Sequence, residues 1–119
     1  MSYYAGFVAA VPTDRKAEFV AHARAAWEQI FKPLGALAQV ETWGDDVPDG
    51  KVTSFPMAVK CGPGETVVFS WIEWPDRATY DAANERMAAP DFAPDVPKLP
   101  FDGQRMILGG FDGIVHERA

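Results

Sequence analysis

The sequence of 119 residues has one cysteine, few basic residues and no long apolar run, and each shortage excludes a class of protein. Cys61 alone can form neither an internal disulfide nor a cysteine-based zinc cluster. Lys and Arg number 11 against 17 acidic residues, and a net charge of -6 opposes the phosphate contacts of nucleic-acid binding. The longest apolar run, Phe7 to Val11, has the length of a strand and not of a membrane span. We therefore expect neither a nucleic acid nor a membrane as a partner.

The motifs of several enzyme classes are missing as well. The sequence has no Gly-x-Ser-x-Gly nucleophile elbow and no phosphate-binding Gly-x-Gly-x-x-Gly. His22 and His116 lie in distant segments, which does not favour a histidine-based metal or haem site. Asp45, Asp46 and Asp49 form an acidic cluster in a glycine-containing segment, but they lack the spacing of a calcium-binding loop, and turn formation is the favoured interpretation. We expect no metal and no cofactor.

The remaining composition is typical of one globular domain. Hydrophobic residues make up 48% and charged residues 24%, and 119 residues is the usual length of a domain with one core. We therefore expect a single domain over residues 1–119. The first residues, Met-Ser-Tyr-Tyr-Ala-Gly, place no basic region ahead of an apolar segment, which predicts no signal peptide and a cytoplasmic location.

Runs of aromatic, β-branched and other apolar residues between turn signals predict five extended pieces, and helical spacing predicts two helices. The extended pieces are Tyr3 to Val11, Leu37 to Trp43, Phe55 to Cys61, Thr66 to Trp74 and Gln104 to Phe111. The helices are Asp14 to Phe31, capped by Thr13, and Asp76 to Ala88, capped by Asp76. Four prolines exclude regular structure between Ala89 and Asp102. After Gly113, the segment Ile114 to Glu117 continues the last strand in this interpretation.

The first helix has an apolar stripe that requires a sheet to cover it. The residues of the stripe recur at steps of three and four, and they are Phe19, Ala23, Ala26, Trp27, Ile30 and Leu34. His22 lies at the flank of the stripe, where its side chain reaches either solvent or the edge of a cavity. The solvent-edge interpretation of His22 is the favoured one.

A hairpin is predicted where Gly62-Pro63-Gly64 separates two extended pieces. The strand period of two divides the second strand into two faces. One face carries Val67, Phe69, Trp71 and Glu73, and the other carries Val68, Ser70, Ile72 and Trp74. The same period places Leu37, Gln39, Glu41 and Trp43 on one face of their strand. Apolar residues on both faces predict that both are covered.

The order of elements predicts an α+β fold of the ferredoxin-like split βαβ type with an antiparallel sheet. Both helices then lie on one face of the sheet, because each crossover is right-handed. The other face is left without a cover. A second copy of the chain is the simplest cover, which predicts a homodimer whose two sheets pack together.

Several phrases spread over almost the whole chain resemble those of a known family. They are Gly6-Phe7-Val8, Trp43-Gly44-Asp45-Asp46-Val47-Pro48-Asp49-Gly50-Lys51, Thr53-Ser54-Phe55-Pro56-Met57-Ala58-Val59, Val67-Val68-Phe69-Ser70-Trp71, and Pro100-Phe101-Asp102-Gly103 with Arg105-Met106-Ile107. Through them the chain resembles the YbaA-like family, called domain of unknown function 1428. The resemblance implies the dimeric α+β barrel fold. The wider superfamily to which it is similar includes cofactor-independent monooxygenases, haem-degrading enzymes, small isomerases and ligand-binding modules, so the fold does not decide the activity.

Two glutamates are the candidate catalytic residues. Glu41 lies beside Trp43 and Glu73 beside Trp71, and burial against an aromatic ring raises a carboxyl pKa and makes the group a general acid or base. Ion pairs with Arg105 or Lys60, or positions at the wet rim of the dimer, are the favoured alternative.

A ligand pocket is predicted around the aromatic residues of these strands. The expected ligand-binding residues are Trp43, Phe69, Trp71, His22, Phe101 and Arg105. Trp74 is a further candidate for the pocket wall, and Phe92 with Phe101 would form a lid from the proline-rich loop.

Two classes of function stay open at this point. The first is a small homodimer that binds an apolar or aromatic molecule in a tryptophan-lined cavity, with cofactor-independent chemistry at Glu41 or Glu73. The alternative is a ligand-binding or protein-interaction module without catalysis.

Overall fold

The computed structural model describes residues 1–119, which form an α+β fold around a four-stranded antiparallel sheet of order β2-β3-β1-β4. The strands are β1 Tyr3–Pro12, β2 Ala38–Glu41, β3 Glu65–Trp74 and β4 Ile107–Asp112. The helices are α1 Lys16–Ala26, α2 Phe55–Ala58 and α3 Arg77–Ala88. None of these helices reaches the length and apolarity that crossing a membrane requires.

The long strands β1 and β3 form the centre of the sheet and pair along their whole length, from Tyr3 opposite Trp74 to Pro12 opposite Glu65. The shorter β2 lies on the outer side of β3. Its pairing extends beyond both ends of the strand, because the Leu37 N–H donates to Glu73 and the Gly44 N–H to Val67, at 2.7 and 2.9 Å. The predicted extended piece Leu37 to Trp43 therefore runs beside β3 throughout.

Helix α1 begins and ends differently from the prediction. Thr13 does not cap it, since its hydroxyl oxygen lies 2.7 Å from that of Thr66, and a 3-10 turn precedes the helix. The turn that follows α1, Trp27–Phe31, is a π-helix in which the Lys32 N–H donates to the Trp27 carbonyl at 3.0 Å. One additional residue in a turn rotates the following residues by about 100° relative to a regular helix. Phe31 joins the packed surface, although the predicted stripe did not include it.

Both long helices, α1 and α3, cover the same face of the sheet. Helix α1 packs with Phe19 on Ala9, Val11 and Val68 of the sheet. Helix α3 packs with Ala83 in the cluster that contains Tyr3, Ala5, Ile72 and Trp74. The predicted N-cap of α3 is confirmed, because the Asp76 carboxylate accepts from the Thr79 N–H at 2.7 Å. The predicted faces of β3 are also confirmed, because Val68, Ser70, Ile72 and Trp74 are all buried.

The prediction of a strand from Phe55 to Cys61 is wrong, and with it the hairpin. The segment begins with the short helix α2, in which the Ser54 hydroxyl accepts from the Met57 N–H at 3.1 Å. Pro56 lies in the first turn, where a missing N–H loses no helical hydrogen bond. A short apolar run does not distinguish a strand from one helical turn by its spacing, so the local cap decided the outcome.

The segment after α2 covers one end of the sheet face opposite to the long helices. Val59 is 1% exposed there and packs against Ala10 and Val67. The rest of this face is open in the single chain, where Phe69 is 44% and Phe111 60% exposed. The expectation that both faces are covered is therefore not met within one chain.

The carboxyl-terminal part has a shorter strand than predicted. Gly103–Arg105 form a 3-10 turn, so β4 begins only at Ile107. The segment Ile114 to Glu117 does not continue the strand, and His116 Nδ1 instead lies 2.8 Å from the Tyr4 hydroxyl. The proline-rich segment Ala89 to Asp102 has neither helix nor strand, as predicted.

Candidate functional site

A cavity of about 190 Å³ lies between α1 and the sheet. Eleven of its fifteen lining residues are hydrophobic. The aromatic members are Phe7, Phe19, Phe31 and Phe101, and the polar members are His22, Gln39, Glu41 and Ser70. An apolar wall with a few polar groups is the usual composition of a small-molecule site.

Small side chains leave the space for this cavity. Ala9 on β1 and Ala23 and Ala26 on α1 are all buried and all line it. Larger side chains at these positions would fill the gap between helix and sheet, since protein interiors are otherwise closely packed. The π-helical turn supplies Phe31 to one wall, and Leu99 and Phe101 of the proline-rich loop close another.

The register of the sheet places the polar groups of β2 and β3 together. Glu41 lies opposite Ser70, and Gln39 lies opposite Ile72. Because side chains alternate along a strand, all four point to the face that the long helices cover. The cavity therefore has a polar strip across an otherwise apolar floor.

Glu41 is the ionisable carboxyl of this strip. Burial raises the pKa of the Glu41 carboxyl, and a hydrogen bond from the Ser70 hydroxyl lowers it by a smaller amount. The residue lies exposed on the edge strand and lines the cavity, which places it at the cavity mouth. A carboxyl whose pKa is raised by burial is a stronger base, when ionised, than the same group in water.

Gln39 carries a buried acceptor without a partner. Its Nε2 donates to the Ala23 carbonyl at 3.0 Å, which ties β2 to α1. Its Oε1 is buried and accepts no hydrogen bond. An unsatisfied buried acceptor of this kind costs about 1–3 kcal/mol, so it marks a position where a donor is missing.

His22 connects the cavity to the proline-rich loop. Its Nδ1 lies 2.6 Å from the Pro97 carbonyl oxygen. A carbonyl only accepts, so Nδ1 carries the hydrogen, and Nε2 of the neutral ring is left as an acceptor. Of the two interpretations of His22, the structure agrees with the edge of a cavity.

Three of the predicted site residues lie on the other face of the sheet. Glu73, Phe69 and Trp71 line an open groove of about 400 Å³ together with Tyr4 and Phe111. The Glu73 carboxylate accepts from the Ser2 hydroxyl at 2.6 Å. The two candidate carboxyls, Glu41 and Glu73, therefore belong to different surfaces, because β3 presents alternate residues to opposite faces.

The prediction that the cavity is lined by tryptophan is wrong, because its aromatic wall is made of phenylalanine. Trp43 adjoins the cavity, with its ring 6.2 Å from that of Phe19, but does not line it. Trp74 is buried deeper in the core, 1% exposed, with its Nε1 lacking a partner. Phe92 lies beneath the Arg86 guanidinium, 5.1 Å from it, and is not among the residues that line the cavity.

Arg105 has a structural partner and lies outside the cavity. Its guanidinium donates to both carboxylate oxygens of Glu65, at 2.8 and 2.6 Å, and to the Lys60 carbonyl at 2.9 Å. The hydrogen bond from Arg105, with a further one from the Gly62 N–H, lowers the pKa of Glu65 to about 2. The expectation that Arg105 or Lys60 pairs with Glu41 or Glu73 is therefore wrong.

Sequence reasoning did not single out Gln39 and Ser70 as site residues. The alternation along β2 did place Gln39 on the face of Glu41, and Ser70 is the one polar residue in the row from Val68 to Trp74. The positions of Gln39 and Ser70 indicate a site only once a cavity is known to lie above them. No three His, Cys, Asp or Glu side chains are grouped in a way that would hold a metal ion.

Comparison with known proteins identifies the relatives of the chain. Residues 2–103 match the family described as "Protein of unknown function (DUF1428)". The chain is 51% identical over 118 residues to the "Uncharacterized protein YbaA" of Escherichia coli strain K12 and to the protein of the same name in Shigella flexneri. Each alignment covers 98% of this chain and 100% of the relative.

Proposed function

The chain belongs to the DUF1428 family, and we propose that it binds a small, largely apolar molecule in the cavity beneath α1, where Glu41 transfers a proton. The observation that carries this proposal is an ionisable carboxyl of raised pKa at the mouth of an apolar cavity. Desolvation makes such a carboxylate a stronger base than it is in water. A raised pKa in a cleft is a recognised property of functional sites.

The size of the cavity supports a ligand built on one ring. An apolar protein cavity of about 150 Å³ takes up benzene. The volume here is about 190 Å³, which leaves room for a ring with small substituents. Phe19 and Phe101, with ring centroids 6.2 Å apart, offer apolar contacts to such a ring.

In this proposal, the polar residues Glu41 and His22 have different roles. Glu41 on β2 acts as the base that removes a proton from the bound molecule. His22 on α1 holds the loop that closes the cavity through its bond to Pro97, and its Nε2 is a second acceptor at the site. The reaction uses groups of the chain alone, without a cofactor.

The proposal also includes a homodimer with a ferredoxin-like fold. The strand order β2-β3-β1-β4 and the placement of both long helices on one face support that fold. Exposed Phe69, Ile107 and Phe111 on the opposite face support a second copy as its cover. The groove that contains Glu73 and Trp71 would then lie at the interface, away from the chemistry.

Ring opening of 5-nitrobenzisoxazole tests the catalytic part. A base removes the proton on the ring carbon, the N–O bond breaks, and a coloured nitrophenolate forms. We expect the rate to rise with pH through an apparent pKa above the usual carboxyl value, because only ionised Glu41 accepts the proton. Glu41→Gln should lower the rate by a factor of roughly 100 or more.

Two further variants serve as controls for this assay. Glu73→Gln changes the other candidate carboxyl, and Glu85→Gln changes an exposed glutamate of α3. Both should retain the rate and its pH profile. If Glu41→Gln is as active as the parent chain, the catalytic assignment is wrong. If the parent chain binds the compound in the cavity without opening it, the protein is a binding module.

A further inference from the structure

Glu41 brings a negative charge to the mouth of the cavity, and the chain gives it no partner of opposite sign. None of the fifteen lining residues is Lys or Arg. Glu41 takes part in none of the six ion pairs of the chain. Lys16 lies 5.4 Å from the ring centroid of Trp43 and does not pair with Glu41. His22, the other titratable lining residue, bonds to Pro97 instead.

A bound molecule would change the surroundings of this carboxylate. Glu41 is exposed in the free chain, so water solvates part of the side chain. A molecule in the cavity displaces some of that water and leaves the Ser70 hydroxyl as the hydrogen-bond partner that the chain supplies. Burying a charge is costly unless a group of opposite charge accompanies it. A cationic ligand offsets this cost, whereas a neutral ligand does not.

The walls of the cavity also suit a positively charged ligand. They include the rings of Phe7, Phe19, Phe31 and Phe101, and those of Phe19 and Phe101 lie 6.2 Å apart in one aromatic wall. The face of an aromatic ring carries partial negative charge and attracts a cation within about 6 Å of its centroid. The net charge of -6 adds an attraction for cations at longer range.

We propose that the ligand of the cavity is a small cation, a single-ring compound whose protonated amino group pairs with ionised Glu41 while its ring contacts the phenylalanine wall. This inference rests on the proposed function, because it names the class of ligand for the same cavity. An ammonium group donates charge-assisted hydrogen bonds to a carboxylate, and these are stronger than the hydrogen bonds of a neutral alcohol. Proton transfer from the ammonium nitrogen to a Glu41 oxygen leaves a neutral amine and a neutral carboxyl, so no charge stays buried.

Benzylamine, benzyl alcohol and benzoate test the proposal, because they share one ring with a substituent of similar size and differ in charge. The titrations are done at pH 8, where benzylamine is protonated and a histidine ring is ordinarily neutral. In NMR spectra they should shift the methyl groups of Ile72 and Met106 in the cavity and leave that of Ile107 on the open face unchanged. Protonated benzylamine should bind roughly tenfold more tightly than benzyl alcohol, and benzoate should bind more weakly than either.

Glu41→Gln tests which group recognises the charge. The variant keeps the size of the side chain and removes its charge, so the preference for benzylamine over benzyl alcohol should be lost. Glu85→Gln changes the net charge of the chain by the same amount at an exposed position of α3. The preference should be unchanged in this control.

The comparison of the three compounds on the unchanged chain stands even if Glu41→Gln fails to fold. Equal binding of benzylamine and benzyl alcohol, or an undiminished preference in a folded Glu41→Gln variant, overturns the cationic ligand and leaves the cavity as a ligand site. Absence of any shift at Ile72 and Met106 with all three compounds overturns both this inference and the proposed function.

Discussion

Glu41 and Gln39 each hold a polar group in a buried position that is unfavourable for that group. Glu41 has a carboxyl whose ionised form burial disfavours, and Gln39 has an acceptor without a donor. Natural proteins retain such unfavourable groups mainly where activity requires them, and their removal often increases stability. Replacing either residue is therefore expected to raise the stability of the chain, whereas replacing an ordinary core residue lowers it.

Glu41→Gln should make the chain more heat-stable at pH 7. The folded pKa of Glu41 is raised above the value of 4.5 of a free carboxyl, so the stability of the parent chain falls as pH rises from 4.5 through the folded pKa. The variant lacks this loss. Thermal unfolding should give it the higher Tm at pH 7 and an equal Tm below pH 4.5, with Glu85→Gln showing no such dependence. A lower Tm for Glu41→Gln at pH 7 would contradict the assignment.

Glu65→Gln should behave in the opposite way. Arg105 lowers the folded pKa of Glu65 from 4.5 to about 2. The stabilisation from the ion pair is therefore fully present above pH 4.5 and is lost as pH falls to about 2. We expect the Tm of Glu65→Gln to lie below that of the parent chain at pH 7 and to meet it near pH 2. A constant gap over this range would show that the ion pair contributes through packing alone.

At the scale of elements, two short helical turns account for most of the differences from the expected fold. The π-helical turn at Trp27–Phe31 redirects the end of α1 and supplies Phe31 to the cavity. Helix α2 replaces a strand and, with Val59, covers one end of the open face. Both turns act through the tertiary contacts that they make possible, since neither is long enough to be stable alone.

Val59→Ala tests the packing of the segment after α2. The side chain is 1% exposed, and removing two methyl groups with their cavity should cost about 2 kcal/mol. Val52→Ala makes the same change at a residue that is 96% exposed and should cost almost nothing. Denaturant unfolding of both variants measures the difference. Equal stability of the two would contradict the packing of this segment on the sheet.

At the scale of the whole molecule, the sheet divides the chain into two unlike surfaces. The face beneath α1 and α3 is closed and contains the candidate site. The opposite face is closed only near Val59 and exposes aromatic and aliphatic side chains elsewhere. Exposed apolar surface of this kind favours association. The proposed homodimer would bury the second surface and leave the cavity accessible.

Phe69→Asp should separate the dimer into single chains. Phe69 is 44% exposed, so a charge there is tolerated in one chain but would be buried and unpaired between two. Light scattering at micromolar concentration should give twice 13.0 kDa for the parent chain and 13.0 kDa for the variant. Val20→Asp, at a residue that is 39% exposed on α1, should remain a dimer. A mass of 13.0 kDa for the parent chain would exclude the dimer.

The sequence by itself determined the elements whose signals are local. The apolar run of β1, the alternation in β3 and the Asp76 cap of α3 were readable because they depend on neighbours in the chain. The four prolines before Asp102 were readable for the same reason. The segment from Phe55 was not, because a short apolar run fits a strand or a helical turn equally well.

The site divides in the same way. Alternation along β2 put Gln39 beside Glu41, and helical spacing put His22 near the apolar stripe of α1, so the sequence determined which side chains share a face. Tertiary structure decided which of these faces enclose a cavity. It brought Glu41, His22 and Phe101 together and left Glu73 and Trp71 on the other side of the sheet. The reason is physical: a cavity exists only where small residues from distant segments meet, as Ala9 and Ala23 do.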